Sequence, residues 1–375
     1  MTPTRCLPVL LAAGALALAG CTAAPGGTAA ASAPVPFDEV LGTVVLDAVA
    51  GEPHPDLPRV QALDAATLPD GRAFVLTWGA DVRLVEVLPG GDGAEVGDVV
   101  DLPDLGRGAT LHPSADGALL VAGSDDGGPV LLTVRGSDVT ERRVDVGRPV
   151  LSAVRSPDGA TVYLSLAPAE ETGEPARLVA VDAVTGEVTG TAPLGTGLDP
   201  RARAYRLLPR PDGGLVAVIS DPAPGGALDR LAEYDAALEP VVVPFDVVAA
   251  VGTSTHTDVS VGVTGDGDVV VLTDVRDGRR VSLFSAGELR GSVEVAVTGP
   301  VDAVAAGPSD GLVTLAWSTE PALVTLDPAT GELGEPLSSC DGLGGHDALD
   351  VAPDGSRAVA AGSCGDDDVV AVLAG

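Results

Sequence analysis

An Asp-Gly turn followed by strand-forming residues recurs seven times in the chain and constrains its fold more than any other feature. Two examples are "SPDGATVYLSL" (156–166) and "LPDGRAFVLTW" (68–78). Pro presets φ, Asp hydrogen-bonds its own backbone and Gly accepts a positive φ, so each copy predicts a tight turn between antiparallel strands. The seven turn aspartates are Asp70, Asp116, Asp158, Asp212, Asp266, Asp310 and Asp354.

The spacing of these turns indicates one repeat architecture. Subtraction of their numbers gives intervals of 46, 42, 54, 54, 44 and 44 residues. A period of about 40 to 50 residues is typical of propeller blades. A second tight turn, "DAVTGE" (182–187), recurs as "DPATGE" (327–332), so each unit accommodates four short strands. The 375 residues therefore predict one repeat domain instead of two or three separate domains.

The two ends of the repeat region complement each other. After Asp354 only two strands fit, "SRAVAAG" (356–362) and "DVVAVLA" (368–374), and one spare strand, "GTVVLDAVA" (42–50), precedes the first unit. If the spare strand pairs with the incomplete last blade, that blade gains its fourth strand and its open edge is covered. We therefore predict an all-β fold, a seven-bladed β-propeller over residues 40–375, closed by an N-terminal strand in the last blade.

The repeat resembles the YVTN-type seven-bladed propellers of bacteria and archaea, in which an "SPDG…YV" hairpin precedes a "VD…TG.V" hairpin. In this chain "SPDGATVYLSL" and "LVAVDAVTGEV" (178–188) match both hairpins over one blade. The resemblance covers about residues 42–375, and the same motif occurs in TolB-like propellers. It implies a fold and no particular activity, because propellers include binding proteins and several enzyme classes.

The N-terminus has the features of an export signal. Arg5 precedes an apolar run (7–18), which is too short to remain as a membrane-spanning helix. The ending "LAGC" resembles the lipobox of bacterial lipoproteins, which implies a signal peptide over 1–20, a lipid on Cys21 and anchoring at the extracytoplasmic face of the cell membrane. The alternative is an ordinary signal peptide with a chance cysteine. Residues 21–39 are small, Gly-rich and Pro-rich, and predict a flexible tether.

The remaining cysteines predict one disulfide. Cys6 lies in the signal and Cys21 is the expected lipid site, which leaves Cys340 and Cys364 in an oxidising compartment. Two unpaired buried cysteines are the alternative. The chain has no Cys-x-x-Cys, and its acidic loops lack the spacing of an EF-hand. We therefore predict no metal and no cofactor.

The charge balance restricts the partners. The formal net charge is −33, whereas nucleic-acid binding requires a basic footprint, so we exclude nucleic acid as a partner. Hydrophobic residues make up 45% of the chain but aromatic residues only 2%, so Val, Leu and Ala must fill the core.

Basic residues recur 8 to 11 positions before the turn aspartates, where a propeller chain enters each innermost strand at the channel mouth. We expect them to form a basic ring that binds an anion, because guanidinium groups match carboxylate and phosphate geometry. In the alternative interpretation these residues only pair with nearby carboxylates, for little net energy. The expected ring consists of Arg59, Arg107, Arg148, Arg203, His256 and His346.

No local motif specifies catalysis. "GPSDG" (307–311) has the letters of a nucleophile elbow, but it lies in a predicted hairpin and not in a strand-to-helix turn. We predict no catalytic residue and a membrane-anchored binding or scaffolding module that recognises a small anion, a peptide or an envelope protein. The alternative is a propeller hydrolase or lactonase with His256 and His346 as its acid–base pair. His112, just before a hairpin, is expected to be exposed and inert.

Overall fold

Each predicted unit forms one four-stranded antiparallel sheet, and the seven sheets form a ring of blades. The protein is described by a computed structural model that covers residues 37–68, 70–90, 93–114, 116–169, 171–223, 226–252, 259–275, 278–295, 301–306, 312–317, 322–340, 344–352 and 354–374. The predicted all-β, seven-bladed propeller is confirmed.

The first four blades follow the chain in order. Blade 1 contains β2 (Gln61–Thr67), β3 (Ala73–Trp78), β4 (Val82–Gly90) and β5 (Gly93–Leu102). Blade 2 contains β6 (Thr110–Pro113), β7 (Leu119–Asp125), β8 (Gly128–Arg135) and β9 (Asp138–Arg143). Blade 3 contains β10 (Val150–Arg155), β11 (Thr161–Leu166), β12 (Arg177–Asp182) and β13 (Val188–Pro193). Blade 4 contains β14 (Arg203–Pro209), β15 (Leu215–Ala223), β16 (Gly226–Tyr234) and β17 (Pro240–Asp246).

The last three blades complete the ring. Blade 5 contains β18 (Ser260–Val263), β19 (Val269–Val275), β20 (Gly278–Ser285) and β21 (Glu288–Val295). Blade 6 contains β22 (Val301–Ala306), β23 (Val313–Trp317), β24 (Ala322–Leu326) and β25 (Leu337–Ser338). Blade 7 contains β26 (Gly344–Val351), β27 (Arg357–Cys364), β28 (Asp367–Ala374) and the N-terminal β1 (Glu39–Val45). A short helix, α1 (Val247–Val251), follows blade 4, and no helix in the described ranges is long and apolar enough to cross a bilayer.

Closure follows the predicted scheme. Strand β1 pairs antiparallel with β28, from Glu39 opposite Ala374 to Val45 opposite Val369. The innermost strands contact one another in the order β2, β6, β10, β14, β18, β22 and β26, and β26 returns to β2. The closing strand begins three residues before the predicted residue 42 and ends at Val45, because the chain turns away at residues 46–50. Both chain ends therefore lie in one blade.

The Asp-Gly turns have the expected geometry. In blade 3 the Asp158 carboxylate accepts a hydrogen bond from the backbone N–H of Ala160 (3.0 Å), and Gly159 adopts φ 73°. An L-residue with a Cβ disfavours that φ, which explains the glycine. The turn at Asp310 lies outside the described residues.

The core consists of layers between blades. Seven apolar clusters occur in the described ranges, and each joins two neighbouring blades around the ring. Val, Leu and Ala dominate these layers, as the composition requires. Burial of each Val or Leu side chain contributes about 1.5–3 kcal/mol relative to exposure. The ring is thus stabilised blade against blade, which leaves its centre free of a packed core.

Candidate functional site

The centre of the ring is a channel of about 780 Å³. Its walls come from the innermost strands of six blades, so side chains that point inward from these strands face a shared space. Its polar wall residues include Asp64, Thr110, His112, Ser152, Arg206 and Asp350.

A recurrent β-bulge positions several of these residues. The register of the innermost strand shifts between Ala62 and Asp64 in blade 1, and at the corresponding places in blades 3 and 4. The residue after the shift lies six positions before the turn aspartate: Asp64 before Asp70, and Arg206 before Asp212. A bulge re-aims the side chain that follows it. In blades 1, 3 and 4 the bulge therefore precedes Asp64, Ser152 and Arg206, each of which lies on the channel wall.

Asp64 links blades 1 and 2 and faces the channel. Its carboxylate accepts hydrogen bonds from the backbone N–H groups of Leu111 (2.7 Å) and Ala65 (2.9 Å). Burial raises the pKa of Asp64 to about 6, although these hydrogen bonds and the charge of Arg206 act in the opposite direction. The carboxyl group is therefore partly protonated near neutral pH.

Asp350 plays the same part between blades 7 and 1. Its carboxylate accepts a hydrogen bond from the backbone N–H of Thr67 (2.7 Å). Burial raises the pKa of Asp350 to about 7, and the nearby Asp64 carboxylate raises it further, against the lowering effect of the Thr67 hydrogen bond. Two neighbouring carboxyl groups that resist ionisation thus line one side of the channel.

His112 faces the channel too, which corrects the expectation that it is exposed and inert. Its Nε2 atom lies 2.9 Å from the Thr110 hydroxyl oxygen, and the residue is partly buried. Burial lowers the pKa of His112 to about 4, and the positive charge of Arg155 lowers it as well. The imidazole is therefore neutral at physiological pH.

Arg206 enters the channel from blade 4, opposite Asp64 of blade 1 in the ring of seven. Burial lowers the pKa of Arg206 from its usual value, while the charge of Asp64 acts the other way. Within the described part of the chain its guanidinium makes no hydrogen bond and no ion pair closer than 4.0 Å. Arg206 is thus a cation in a confined space with no hydrogen-bond or ion-pair partner for its guanidinium among the described residues, and the predicted basic ring did not include it.

Of the basic residues predicted at the mouth, Arg59 and Arg148 are paired with carboxylates. Nε of Arg59 lies 3.2 Å from the buried Asp368, and its Nη1 donates to the Gly365 carbonyl (3.2 Å). Arg148 is buried, pairs with Glu174 and donates to the Pro175 carbonyl (2.9 Å).

The other two predicted arginines differ from these. The Arg107 guanidinium lies 4.3 Å from the centre of the Trp78 ring, on which His54 also stacks at 4.6 Å. Arg203 is exposed and makes no ion pair with any described residue. Of the predicted ring only Arg107 is among the described residues that line the channel. The anion-binding ring stays a prediction.

Of the two predicted histidines, only His346 lies among the described residues. His346 is buried, with Nε2 2.9 Å from the Ser339 hydroxyl oxygen. His256 and the lipid site Cys21 lie outside the described residues. Within the described ranges no cluster of three or more His, Cys, Asp or Glu side chains is placed to hold a metal ion.

Cys340 and Cys364 form the predicted disulfide-capable pair. Their Cα atoms are 6.1 Å apart, and the bond closes 24 residues of blade 7. Arg59 reaches the turn that begins next to Cys364, so the bond and the Arg59–Asp368 ion pair lie in the same region of the closing blade.

Comparison with known proteins supports the fold alone. No protein-family model matches the chain, and no curated protein matches it. Among solved structures, the chain is similar to hydrazine synthase from Kuenenia stuttgartiensis, with a TM-score of 0.62, 16% identity, and coverage of 87% of this chain and 98% of that one. In all, 1008 solved chains match, so the architecture is too widely shared to indicate a function.

Proposed function

We propose that this chain is a membrane-anchored, extracytoplasmic binding propeller whose small-molecule ligand occupies the central channel. The observation that supports this most is the channel itself, with a volume of about 780 Å³ and charged groups on its walls. Ligand sites usually fall between about 300 and 1,000 Å³ and carry a few convergent polar groups. The propeller fold is compatible with a binding or scaffolding role.

The anchor is proposed to be a lipid on Cys21, held by a flexible tether. Support comes from the signal-like residues 1–20 and the "LAGC" ending. In a bacterial host, Cys21→Ser should move the protein out of the membrane fraction, and mass spectrometry should find diacylglycerol on Cys21 of the wild type only. Cys6→Ser, a control within the signal, should leave both results unchanged. If the Cys21→Ser protein stays in the membrane fraction, the anchor is wrong.

Ligand binding is tested by thermal shift on the full-length chain in detergent. Compounds that bind only the native state raise the melting temperature by mass action. We expect stabilisation by at least one class among organic acids, sugars, phosphates and short peptides. A screen in which no small molecule raises the melting temperature at millimolar concentration would contradict a channel ligand and leave a protein-binding scaffold.

The hydrolase alternative gains no support from the described histidine. The hydrogen bond between Ser339 and His346 joins the same two side-chain types as a nucleophile–base pair, but the two residues are only 3% and 5% exposed. Neither residue is among the described residues that line the channel. The pair therefore favours a structural role beside the disulfide.

A further inference from the structure

We infer that Arg206 anchors a carboxylate-binding site inside the channel, for a small monoanion that also carries hydroxyl groups. This inference rests on the proposed binding function and specifies its ligand class. It moves the expected anion contact from the mouth of the propeller to the channel interior.

The first argument is the state of the Arg206 side chain. A guanidinium has five N–H donors in a planar fork, and removing such a group from bulk water is costly unless it is paired. Most other described arginines are paired: Arg210 of the same strand–turn unit, for example, forms ion pairs with Asp212 and Glu233. Arg206 has no such partner in the described structure although it lies on a channel wall. Its donors therefore remain available for a ligand.

The second argument is geometric. Arg206 projects from blade 4, and Asp64 and Asp350 project from the opposite blades 1 and 7. A ligand between them contacts a cation on one side and two carboxyl groups on the other. A planar carboxylate fits the guanidinium fork through two parallel hydrogen bonds.

The third argument concerns charge and separates carboxylate from phosphate. Asp64 and Asp350 have pKa values raised to about 6 and about 7, so both still hold protons for part of the time near neutral pH. In the protonated form each donates a hydrogen bond to a ligand hydroxyl group, whereas in the ionised form they repel a dianion more than a monoanion. Thr110 and Ser152 add hydroxyl groups to the same walls. Hydroxycarboxylates, including sugar acids, combine the required groups.

The test is calorimetric titration of the full-length chain in detergent. The probes are lactate, gluconate and glucuronate, with lactamide and glucose as uncharged counterparts and inorganic phosphate as the competing anion. We expect at least one of the three carboxylates to bind, and its uncharged counterpart and phosphate to bind about tenfold more weakly or less.

Variants of Arg206 test whether this residue binds the carboxylate. Arg206→Leu should weaken carboxylate binding about tenfold or more, and Arg206→Lys, which keeps the charge but loses the fork, should fall between it and the wild type. Arg290→Ala is the matched control, because Arg290 is an exposed arginine on β21 whose ion-pair partner, Glu288, lies 3.8 Å away. It should bind as the wild type does. Should Arg206→Leu fail to fold, Arg206→Gln removes the charge and keeps a polar side chain.

The outcomes separate this inference from the function on which it rests. If Arg206→Leu binds carboxylates like the wild type, or if phosphate or the uncharged counterparts bind as tightly as the carboxylates, the Arg206 site is wrong. If other small molecules raise the melting temperature and no carboxylate binds, the ligand class is wrong and the binding function stands. If nothing binds in either experiment, both proposals are overturned.

Discussion

Two of the arginines predicted at the channel mouth differ from Arg206, on the channel wall, in their protein partners. Arg59 and Arg148 are each paired with a carboxylate, and each donates a hydrogen bond to a backbone carbonyl. Arg206 lies deeper and has no partner in the described structure. The repeat predicts basic residues at the mouth, but carboxylate neighbours pair with two of them. This difference is the reason that we propose Arg206, and not the paired arginines, as the ligand contact.

The comparison predicts different consequences of mutation in the two regions. Changes around Arg59 and the disulfide should lower the free energy of unfolding and leave ligand affinity of the folded protein intact. Changes at Arg206 should lower ligand affinity and leave the free energy of unfolding nearly unchanged.

The largest expected effect is on the disulfide of the closing blade. Replacement of both Cys340 and Cys364 by Ser removes a bond that closes 24 residues. The chain-entropy model gives a loss of about 3 kcal/mol in the free energy of unfolding, measurable by urea denaturation. Wild type treated with a reductant should show the same loss. A variant as stable as the oxidised wild type would mean that the disulfide does not stabilise the closing blade.

The next largest effect is expected for Arg59→Ala. It leaves Asp368, whose side chain is only 1% exposed, without its cation, and burial already raises the pKa of Asp368 to about 6. Because the Arg59 side chain is 30% exposed, we discount the usual cost of breaking a buried pair to about 2 kcal/mol at pH 8. The double variant Arg59→Ala/Asp368→Asn should recover most of this loss. An equal loss in the single and double variants would contradict the assigned role of the ion pair.

A smaller, pH-dependent effect is expected for Asp350→Asn. The folded protein holds a proton on Asp350 up to about pH 7, whereas the unfolded chain loses it near pH 4, so this group lowers stability as the pH rises through that window. Three pKa units correspond to about 4 kcal/mol at most, and because Asp350 is partly exposed to the channel we discount this to about 1.5 kcal/mol. The variant should equal the wild type near pH 4 and exceed it by about that amount at pH 8.

The difference in stability between Asp350→Asn and the wild type isolates Asp350 from other titrating groups. His112, whose lowered pKa acts with the opposite sign below about pH 6.5, contributes to both proteins and cancels. Asp138→Asn, at an exposed position on β9, should show no pH-dependent gain. A constant difference between Asp350→Asn and wild type across the pH range would contradict the raised pKa.

The smallest effect is expected for Arg203→Ala at the mouth. Arg203 is exposed and makes no ion pair with a described residue, so its loss should change the free energy of unfolding by less than about 0.5 kcal/mol. Thermal denaturation compared with Arg290→Ala would check this. A large loss would assign Arg203 a structural contact of the Arg59 kind.

Much of the fold was predictable because its signals are local. The Asp-Gly turns mark each first hairpin, and the unmatched strands at the two ends predict the pairing of β1 with β28. These features depend on residues that are neighbours in sequence or on a simple count of strands.

The candidate site was less predictable because it depends on partners from distant blades. The sequence predicted Arg59 at the mouth but did not predict its partner Asp368, which lies more than 300 positions along the chain and becomes its neighbour only when the ring closes. Asp64 and Arg206 carry a signal that was available, a charge six positions before a turn aspartate within a predicted innermost strand. That signal locates them in the channel. Whether a partner reaches them depends on the three-dimensional arrangement of the blades.

The most direct test compares the mouth with the channel in one titration. The affinity for the carboxylate probe that binds most tightly is measured for Arg206→Leu and for Arg203→Ala at one ionic strength. Our account predicts a loss of about tenfold or more for Arg206→Leu and a change within about twofold for Arg203→Ala. The reverse, a large loss at the mouth and none in the channel, would contradict the account and restore the basic ring as the binding site.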